Sequence, residues 1–358
     1  MLPLLQRGYL NAREIRHFLL RDELGSPVKV PLLTRLNMLR RGFLGQSAVL
    51  YDYSNSSLDE YVSDLARVRM SRINHQHNPR AHYPVALDNK LFFTSLMEGI
   101  VRVPKICGFV SMGRVQQFHQ EAEGLTTATL AEVCAQFGTL VFKPIIGGGG
   151  KGIHFLRCVD GQLLLDDSPM SKETFTSWIS GLDEYIVCEF IKQGSFSAGL
   201  FPHTTNTIRV VTMLDPETNE PFLPIAVHRI GTNKSIPVDN WARGSLSAEV
   251  NLETGELSAG AFWPQGKARI VWHERHPDTG DLVKGQRVPG WQDVCEELLA
   301  AARRLPFYKI IGWDIVLTDQ GIMAVEANGT TGVIMLQIHR PLLRDPRVRA
   351  FFEHHRIL

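Results

Sequence analysis

One stretch restricts the fold of this chain more than any other: residues 141–152, which read VFKPIIGGGGKG. The apolar start predicts a β-strand, and Pro144 disfavours helical backbone at Lys143 and keeps that lysine extended. The glycines permit positive φ and let backbone N–H groups approach an anion without obstruction by Cβ atoms. Because a glycine run between Lys143 and Lys151 is costly to order without a ligand, it predicts a phosphate-binding loop. An ordinary flexible loop is the alternative.

Spacing separates this loop from other glycine-rich motifs. In the Walker pattern, Ile145 would stand at the first glycine and Gly152 at the hydroxyl residue, so that pattern fails. The glycines do match the dinucleotide fingerprint, but that motif opens a helix, whereas residues 153–159 have the pattern of a strand. The His-Arg-Asp and Asp-Phe-Gly sequences of protein kinases are absent. A strand, a glycine loop and a second strand predict a hairpin that forms a flap over phosphates.

A second informative stretch consists of two apolar runs, residues 310–317 and 322–328, which predict a β-hairpin. A three-residue loop that ends at Gly321 would join them, with this glycine in the left-handed position. That register places Asp314 directly opposite Glu326. Like charges in this arrangement destabilise a sheet unless something neutralises them.

The two faces of the predicted hairpin differ in polarity. Asn328 follows Glu326 by two residues and therefore lies on the same face as the two carboxylates. Two carboxylates and an amide oxygen are hard ligands that suit Mg²⁺, although a solvent-facing acidic hairpin is the simpler alternative. The opposite face is predicted to form core, with the residues Trp313, Ile315, Leu317, Met323, Val325 and Ala327.

Charge and cysteine content exclude several classes of protein. Lys and Arg number 38 against 37 Asp and Glu, so nothing global predicts nucleic-acid binding. Residues 1–82 are locally basic, with 12 Lys and Arg against 7 Asp and Glu. A peripheral membrane contact or an assembly partner is one interpretation, and a solvated basic face is the simpler one. Five cysteines without a Cys-x-x-Cys pair argue against a disulfide framework or zinc site, and the short apolar N-terminus against a secretory signal. We expect a cytoplasmic protein.

Hydrophobic periodicity and turn signals divide the chain into four regions. Residues 1–85 are predicted to form a mainly helical accessory region, and residues 86–128 a small α/β unit. Residues 129–200 are predicted to form a compact α+β unit that carries the flap. Residues 201–358 contain repeated strands with few crossover helices, which predicts a largely antiparallel sheet that includes the hairpin. The fold class is therefore α+β.

Over roughly residues 35–350 the chain resembles the ATP-grasp superfamily, and its N-terminal layout is similar to the sugar-transfer associated ATP-grasp branch. The order of the motifs is more specific than any one of them. They are Asn89-Lys90 before a helix, Phe142-Lys-Pro with the glycine loop, Glu189-Phe-Ile191, Asn206-Thr-Ile-Arg209, Val238-Asp-Asn240, Gly312-Trp-Asp314 and Glu326-Ala-Asn328. The resemblance implies a fold in which two α+β subdomains clasp ATP.

The resemblance also implies which residues hold the cofactors, ATP and Mg²⁺. Two lysines, the flap glycines and the segment that presents backbone groups to adenine would bind ATP: Lys90, Lys143, Gly147, Gly148, Gly149, Gly150, Glu189, Phe190 and Ile191. Three residues of the hairpin would hold Mg²⁺: Asp314, Glu326 and Asn328. An acidic residue that often binds the ribose in this superfamily has no clear counterpart.

The resemblance also implies catalytic roles for two residues. Arg209 would stabilise charge on the transferred phosphoryl group or tetrahedral intermediate, and Lys151 would help to cover the phosphates of ATP. From the residues alone, Arg209 would equally suit a surface salt bridge. Relatives tend to carry paired glycines after Asn240, whereas this chain has Arg243-Gly244-Ser245, which leaves that substrate-facing loop open. Weaker candidates for the substrate pocket are His228, Arg229, Asn240 and Arg243.

The implied chemistry is an ATP- and Mg²⁺-dependent ligase reaction. A carboxylate would be activated as an acyl phosphate and then attacked by an amine, with ADP and phosphate released. The substrates would be small molecules, sugar-linked or resembling amino acids or peptides. Two alternatives remain open from the sequence: a small-molecule or sugar kinase of the same fold, and a non-catalytic nucleotide-binding scaffold in a biosynthetic assembly.

Overall fold

The computed structural model describes residue 18 and residues 23–26, 28–70, 72–75, 83–116, 127–264 and 269–358. Of the expected helical accessory region, residues 1–17, 19–22, 27, 71 and 76–82 lie outside these ranges. The described helices are α1 (Leu32–Arg40), α2 (Ser47–Leu50), α3 (Asp64–Met70), α4 (Tyr83–Asp88), α5 (Lys90–Met97), α6 (Thr127–Phe137), α7 (Lys172–Ser180), α8 (Ser195–Leu200), α9 (Trp291–Arg303), α10 (Ile334–Gln337) and α11 (Pro346–His354). Short 3₁₀-helices span Leu58–Glu60, Ile73–His75, Trp241–Arg243 and Leu342–Arg344.

Two antiparallel sheets contain the described strands. The strands of the first are β1 (Ile106–Ser111), β2 (Arg114–Gln116), β3 (Thr139–Pro144), β4 (His154–Val159), β5 (Gln162–Leu165), β6 (Ser168–Met170) and β7 (Tyr185–Glu189), in the order β2-β1-β7-β3-β4-β5-β6. Those of the second are β8 (Thr207–Leu214), β9 (Pro221–Phe222), β10 (Ala226–Ile230), β11 (Leu246–Val250), β12 (Gly260–Phe262), β13 (Val271–His273), β14 (Ile310–Thr318) and β15 (Gly321–Asn328). Their order is β13-β12-β11-β10-β8-β14-β15, and β9 pairs with β8.

The prediction of an antiparallel sheet is confirmed, because every pairing among the described strands is antiparallel. The predicted flap is also a hairpin: β3 and β4 pair with each other, and the glycine loop connects them. Strands β1 and β2, from the region expected to form a small α/β unit, extend the same sheet as the flap.

Helices cover one face of the first sheet. In α7, Phe175 and Ile179 are one helical turn apart and both are buried against the sheet. The ring of Phe142, on the flap strand β3, lies edge-on to Trp178 with 5.1 Å between ring centroids. This packing fixes β3, and with it the strand end from which the glycine loop starts.

The second sheet is packed on both faces. On β8, Ile208 and Val210 belong to one core, which includes Leu298 of α9, whereas Val211 and Met213 belong to the other. The second core includes two phenylalanines of α11, Phe351 and Phe352. Side chains alternate along a strand, so a strand buried on both faces needs a nearly continuous apolar sequence. Arg209 interrupts that sequence, and an arginine so placed needs a specific partner.

The turn of the hairpin β14–β15 differs from the prediction. Thr318 pairs with Gly321, so the connection has two residues rather than three. The expected pairing of Asp314 with Glu326 is nevertheless confirmed, because the register shifts by one residue at a β-bulge between Asp314 and Ile315. The bulge inserts one extra residue into β15 and restores the register that the shorter turn had displaced.

The same bulge changes which residues of β15 face the core. Between turn and bulge, Ile322 and Ala324 are buried in the core, and the expectation for Met323 and Val325 is wrong. A slip of one residue moves side chains to the other face of a strand. Beyond the bulge, the side chains of β15 again alternate as predicted, and Ala327 is buried. The apolar residues expected on β14 are also buried in this core: Trp313, Ile315 and Leu317.

Candidate active site

A cleft of about 330 Å³ lies between the two sheets and beneath the glycine loop. Most of the site residues predicted from the sequence line this cleft: Lys90, Lys143, Gly148, Gly149, Gly150, Glu189, Phe190, Ile191, Arg209, Arg229, Asn240, Asp314, Glu326 and Asn328. Residues from both sheets and from the start of α5 therefore meet at one place. Thr205, Thr207, Pro237, Val238 and Asp239 also line the cleft and were not nominated.

The glycine loop touches the opposite wall of the cleft. Gly149 and Gly150 have φ of 71° and 70°, in the left-handed region that favours glycine. A Cβ atom added to Gly150 would lie 2.7 Å from Cγ1 of Val238, and one added to Gly149 would lie 3.2 Å from Nδ2 of Asn240. The backbone at the tip of the flap thus packs directly on Val238 and Asn240, and the structure shows the flap in a closed position.

Lys90 connects the base of the flap to the acidic hairpin. Asn89 caps α5, since its side chain accepts hydrogen bonds from the first helical N–H groups. The backbone N–H of Lys90 donates to the Ile145 carbonyl at 3.0 Å, and its Nζ donates to the Gly147 carbonyl at 3.0 Å. Burial lowers the pKa of the Lys90 ammonium, while the charge of Glu326 acts in the opposite direction.

One end of the cleft is apolar. Val141 and Phe155, on neighbouring strands of the first sheet, line it together with Ile191, and the ring of Phe190 lies edge-on to that of Phe155 at 6.1 Å. Glu189 closes this end, where its Oε1 accepts a hydrogen bond from the Lys105 N–H at 2.8 Å. Apolar walls with a few fixed polar groups are typical of small-molecule and cofactor sites.

The other end of the cleft is charged, and its key side chains are in register across three strands. Arg209 on β8 pairs with Asp314 on β14, which pairs with Glu326 on β15. Arg209 grips the Asp314 carboxylate with two nitrogens, Nε to Oδ1 and Nη2 to Oδ2, the latter at 2.8 Å. Arg229 Nη2 lies 3.2 Å from the same Oδ2, and Arg209 Nη1 donates to Thr331 Oγ1 at 3.2 Å.

These contacts give the two carboxylates different electrostatics. Burial raises the pKa of the Asp314 carboxyl, but Arg209 and Arg229 outweigh that effect and hold the pKa below its usual value. For Glu326, burial and the adjacent Asp314 charge raise the pKa. Among the described residues, none donates a hydrogen bond to Glu326.

The acidic face fits a hard cation. Asp314, Glu326 and Asn328 all line the cleft, and among the described residues no Lys or Arg side chain forms a salt bridge with Glu326. Within the described part of the chain there is no group of three or more His, Cys, Asp or Glu side chains arranged to hold a metal. A metal here would therefore depend on the Asn328 amide as well as on Asp314 and Glu326, and this all-oxygen set matches Mg²⁺.

A second carboxylate supports Arg229 from outside the acidic face. Asp239 Oδ2 accepts hydrogen bonds from the N–H and Oγ1 of Thr207, at 2.8 and 2.6 Å, and lies 3.3 Å from Arg229 Nε. Arg229 also donates to Thr207 Oγ1 from Nη2, at 2.5 Å. Burial opposes the charge on Arg229, but Asp239 and Asp314 outweigh it and raise the guanidinium pKa, so the group stays charged.

Four nominated residues do not line the cleft. His228 is fully buried and faces away from Arg229, its neighbour on β10, because successive strand residues alternate; its Nε2 lies 3.3 Å from Ser197 Oγ. This corrects the expectation that it lines a substrate pocket. Arg243 is exposed in a 3₁₀-helix, and Lys151 is exposed beyond the flap tip. Gly147 contributes its carbonyl to Lys90 at the base of the flap.

Thr207 and Asp239 could have been predicted as site residues from their positions in the sequence. Thr207 precedes Arg209 by two residues on β8, so the two share a face of the strand. Asp239 belongs to the motif Val238-Asp-Asn240, of which only the asparagine was nominated. The partners of Asp239 are 10 and 32 residues away, and single-sequence patterns do not report such pairings.

The arrangement of two sheets, a glycine flap and an acidic hairpin around one cleft defines a nucleotide-clasping α+β fold. The family model for sugar-transfer associated ATP-grasp proteins matches residues 68–347 of the chain. The protein therefore belongs to the sugar-transfer associated ATP-grasp family. No curated protein matches the sequence. No described helix is long and apolar enough to cross a membrane.

Solved structures similar to this one are remote in sequence. D-alanyl-alanine synthetase A from Vibrio cholerae has a TM-score of 0.42 and 11% identity, with 75% of this chain and 67% of that chain covered. D-cycloserine synthetase has a TM-score of 0.41 and 12% identity, with coverage of 81% and 78%. N5-carboxyaminoimidazole ribonucleotide synthetase in complex with ADP has a TM-score of 0.40 and 12% identity, and the match covers 79% of this chain and 53% of that one.

Proposed function

We propose that this protein is an ATP- and Mg²⁺-dependent ligase that joins a carboxylate to an amine through an acyl phosphate. The observation that carries the proposal is the division of one cleft into an apolar end and a charged end, with the flap closed over both. The apolar end suits an adenine base. The charged end brings Arg209, Arg229 and Lys90 together around an acidic pair, which suits a polyphosphate with its metal ion.

The nucleotide would lie along the floor of the first sheet. Phe155 and Ile191 would contact the adenine ring, while backbone groups of Glu189 and Ile191 would form hydrogen bonds with its edge. Lys90 and Lys143 would neutralise phosphate charge, and the flap glycines would supply N–H groups. Mg²⁺ bound by Asp314, Glu326 and Asn328 would offset phosphate charge during phosphoryl transfer.

The protein's arginines would act where charge develops. Arg209 is held by Asp314 and Thr331, so its guanidinium reaches the reacting phosphoryl group already oriented. Arg229 is fixed by Asp239 and Thr207 on the other side. A pre-organised pair of guanidinium groups stabilises the transferred phosphoryl group and, after it, the tetrahedral intermediate formed by the amine.

The closed flap has a further role, because an acyl phosphate is readily hydrolysed. With Gly149 and Gly150 packed on Val238 and Asn240, the flap would restrict the access of water to the charged end of the cleft. We infer that the carboxylate enters beside Arg229 and Asn240, beyond the phosphoryl end. The substrates would be small molecules, sugar-linked or resembling amino acids or peptides, and the family assignment is what suggests the sugar.

The test is ADP formation by the purified protein with ATP, Mg²⁺ and a panel of sugar acids and amino acids, with and without candidate amines. A ligase releases inorganic phosphate in equal amount with ADP, and only when a carboxylate is present. A stable phosphorylated product without free phosphate would show a kinase instead. ATP binding without turnover across the panel, together with undiminished biological activity of the Glu326→Gln variant, would show a scaffold.

A further inference from the structure

Three consecutive residues, Val238, Asp239 and Asn240, connect the tip of the glycine flap to the floor of the cleft. Val238 packs on Gly150 at the tip of the flap, and Asn240 reaches Gly149. Between them, Asp239 directs its side chain to the floor of the cleft. There its Oδ2 receives two hydrogen bonds from Thr207 and lies 3.3 Å from Arg229 Nε.

We propose that Asp239 is a positioning residue that couples closure of the glycine flap to the orientation of Arg229. The inference rests on the proposed function, since it treats Arg229 as the clamp on the phosphoryl end of a bound nucleotide. Asp239 itself reaches neither the flap nor, in the proposed binding mode, the nucleotide. It acts through Arg229 on one side and through its chain neighbour Val238 on the other.

The segment is rigid enough to transmit such a coupling. The Asp239 carbonyl accepts a hydrogen bond from the buried Ser245 Oγ at 2.7 Å. Asn240 caps the following 3₁₀-helix by accepting the Ala242 N–H at 2.9 Å. The Val238 N–H donates to the Ser235 carbonyl at 3.1 Å. These contacts hold the backbone of residues 238–240 as one unit, so a displacement of the Asp239 backbone would also displace Val238.

The energetics favour a coupled response. Asp239 is buried, and its Oδ2 is shared by Thr207 and Arg229. Loss of its charge would leave Arg229 with Asp314 as its only carboxylate partner among the described residues, so the guanidinium would turn towards the acidic face. The segment would then lose its anchor on the floor of the cleft, and the flap would lose a fixed surface to close on.

A protease reports flap closure without any need for a substrate. Lys151 is exposed and followed by Gly152, so trypsin can cut there, whereas Pro144 protects the bond after Lys143. Cutting within a closed loop requires local opening, and its rate tracks the population of the open form. We would measure the rate of cleavage after Lys151 by mass spectrometry in the nucleotide-free protein, so that the readout does not depend on nucleotide binding.

The decisive variant is Asp239→Asn, and Glu249→Gln is its matched control. Glu249 is also a partly buried carboxylate of the second sheet paired with an arginine, Arg340, at 2.6 Å, but it does not line the cleft. We expect cleavage after Lys151 to become about tenfold faster in Asp239→Asn and to stay at the wild-type rate in Glu249→Gln. A wild-type rate in Asp239→Asn, or equal acceleration in both variants, would overturn the coupling.

A milder pair of variants covers the case in which Asp239→Asn does not fold. Thr207→Val removes the hydroxyl that bridges Asp239 and Arg229 but keeps the side-chain shape and the backbone donor. Thr207→Ser restores the hydroxyl. Faster cleavage in the valine variant with recovery in the serine variant supports the coupling, and equal rates in both contradict it. Because these rates are measured without nucleotide, failure of the coupling is distinct from failure of the ligase proposal, which would show as absent ATP binding or turnover.

Discussion

Asp314 and Glu326 are direct partners across the hairpin β14–β15, yet their surroundings shift their pKa values in opposite directions. Two guanidinium groups hold Asp314 ionised, whereas burial and the charge of Asp314 favour the protonated form of Glu326. A carboxyl whose folded-state pKa is raised binds its proton more tightly in the folded protein. Its ionisation therefore costs stability, and that cost grows as the pH rises above the ordinary carboxyl range.

The first prediction follows from the raised pKa of Glu326. Glu326→Gln should raise the free energy of unfolding of the ligand-free protein at pH 7 by on the order of 1 kcal/mol, because a buried charge is removed. The gain should shrink near pH 4, where the wild-type side chain is protonated. The same variant should lose Mg²⁺-dependent ATP turnover. Denaturant unfolding at both pH values measures the effect, with the exposed Glu217→Gln as control. A variant less stable than wild type at pH 7 would contradict this account.

The second prediction concerns the flap tip. In Gly150→Ala the new Cβ would lie 2.7 Å from Val238, so the flap cannot close as it does here. Gly161→Ala is a matched control, since that glycine also has a positive φ, of 77°, but no atom lies within 4 Å of the added Cβ. We expect affinity for ATP, measured by calorimetry, to fall about tenfold in Gly150→Ala beyond any change in the control. Equal effects would mean that backbone strain matters and the Val238 contact does not.

The third prediction concerns Arg209. Lysine cannot reproduce the two-nitrogen contact with Asp314, so Arg209→Lys should lower kcat about 100-fold. Arg303→Lys changes an exposed arginine whose salt bridge with Glu220 is 2.9 Å long, and should leave turnover unchanged. Steady-state kinetics of ADP release distinguish the two. A small loss in Arg209→Lys would indicate that charge alone, without orientation, suffices at this position.

The fourth prediction is that the buried side chain of His228 makes the stability of the fold sensitive to acid. Burial lowers the pKa of His228 to about 4, so the neutral ring contributes stability that is present above its unfolded value of 6.5 and is lost as the pH falls. Between pH 7 and pH 5 this residue should account for a loss of about 2 kcal/mol. His228→Asn should therefore show a weaker decline over this interval, while the exposed His203→Asn keeps the wild-type slope. Equal slopes for all three proteins would contradict it.

Strand alternation carried most of what the sequence revealed about the site. The pairing of Asp314 with Glu326 follows from alternation and register, and the flap follows from a strand on each side of the glycines. The two-residue turn and the bulge compensate each other, so neither is visible in the hydrophobic pattern. Met323 and Val325 were therefore predicted on the wrong face of β15.

Other features depend on contacts between distant parts of the chain. Alternation alone would have shown that His228 and Arg229, adjacent on β10, cannot both line the cleft. It could not say which of them does, because that depends on the side from which Asp239 and Asp314 approach. The contact of Gly150 with Val238 likewise joins two loops, one from each sheet, and has no local signal.

The most direct test of the central claim follows oxygen from substrate to product. Once a carboxylate that stimulates ADP release is identified, it would be labelled in its carboxyl group with a heavy oxygen isotope and incubated with ATP, Mg²⁺ and the amine. If the carboxylate attacks the γ-phosphorus to form an acyl phosphate, one labelled oxygen passes to inorganic phosphate when the amine displaces it, and mass spectrometry will detect it there. Unlabelled phosphate, or a phosphorylated product that retains the label, would contradict the proposed ligase mechanism.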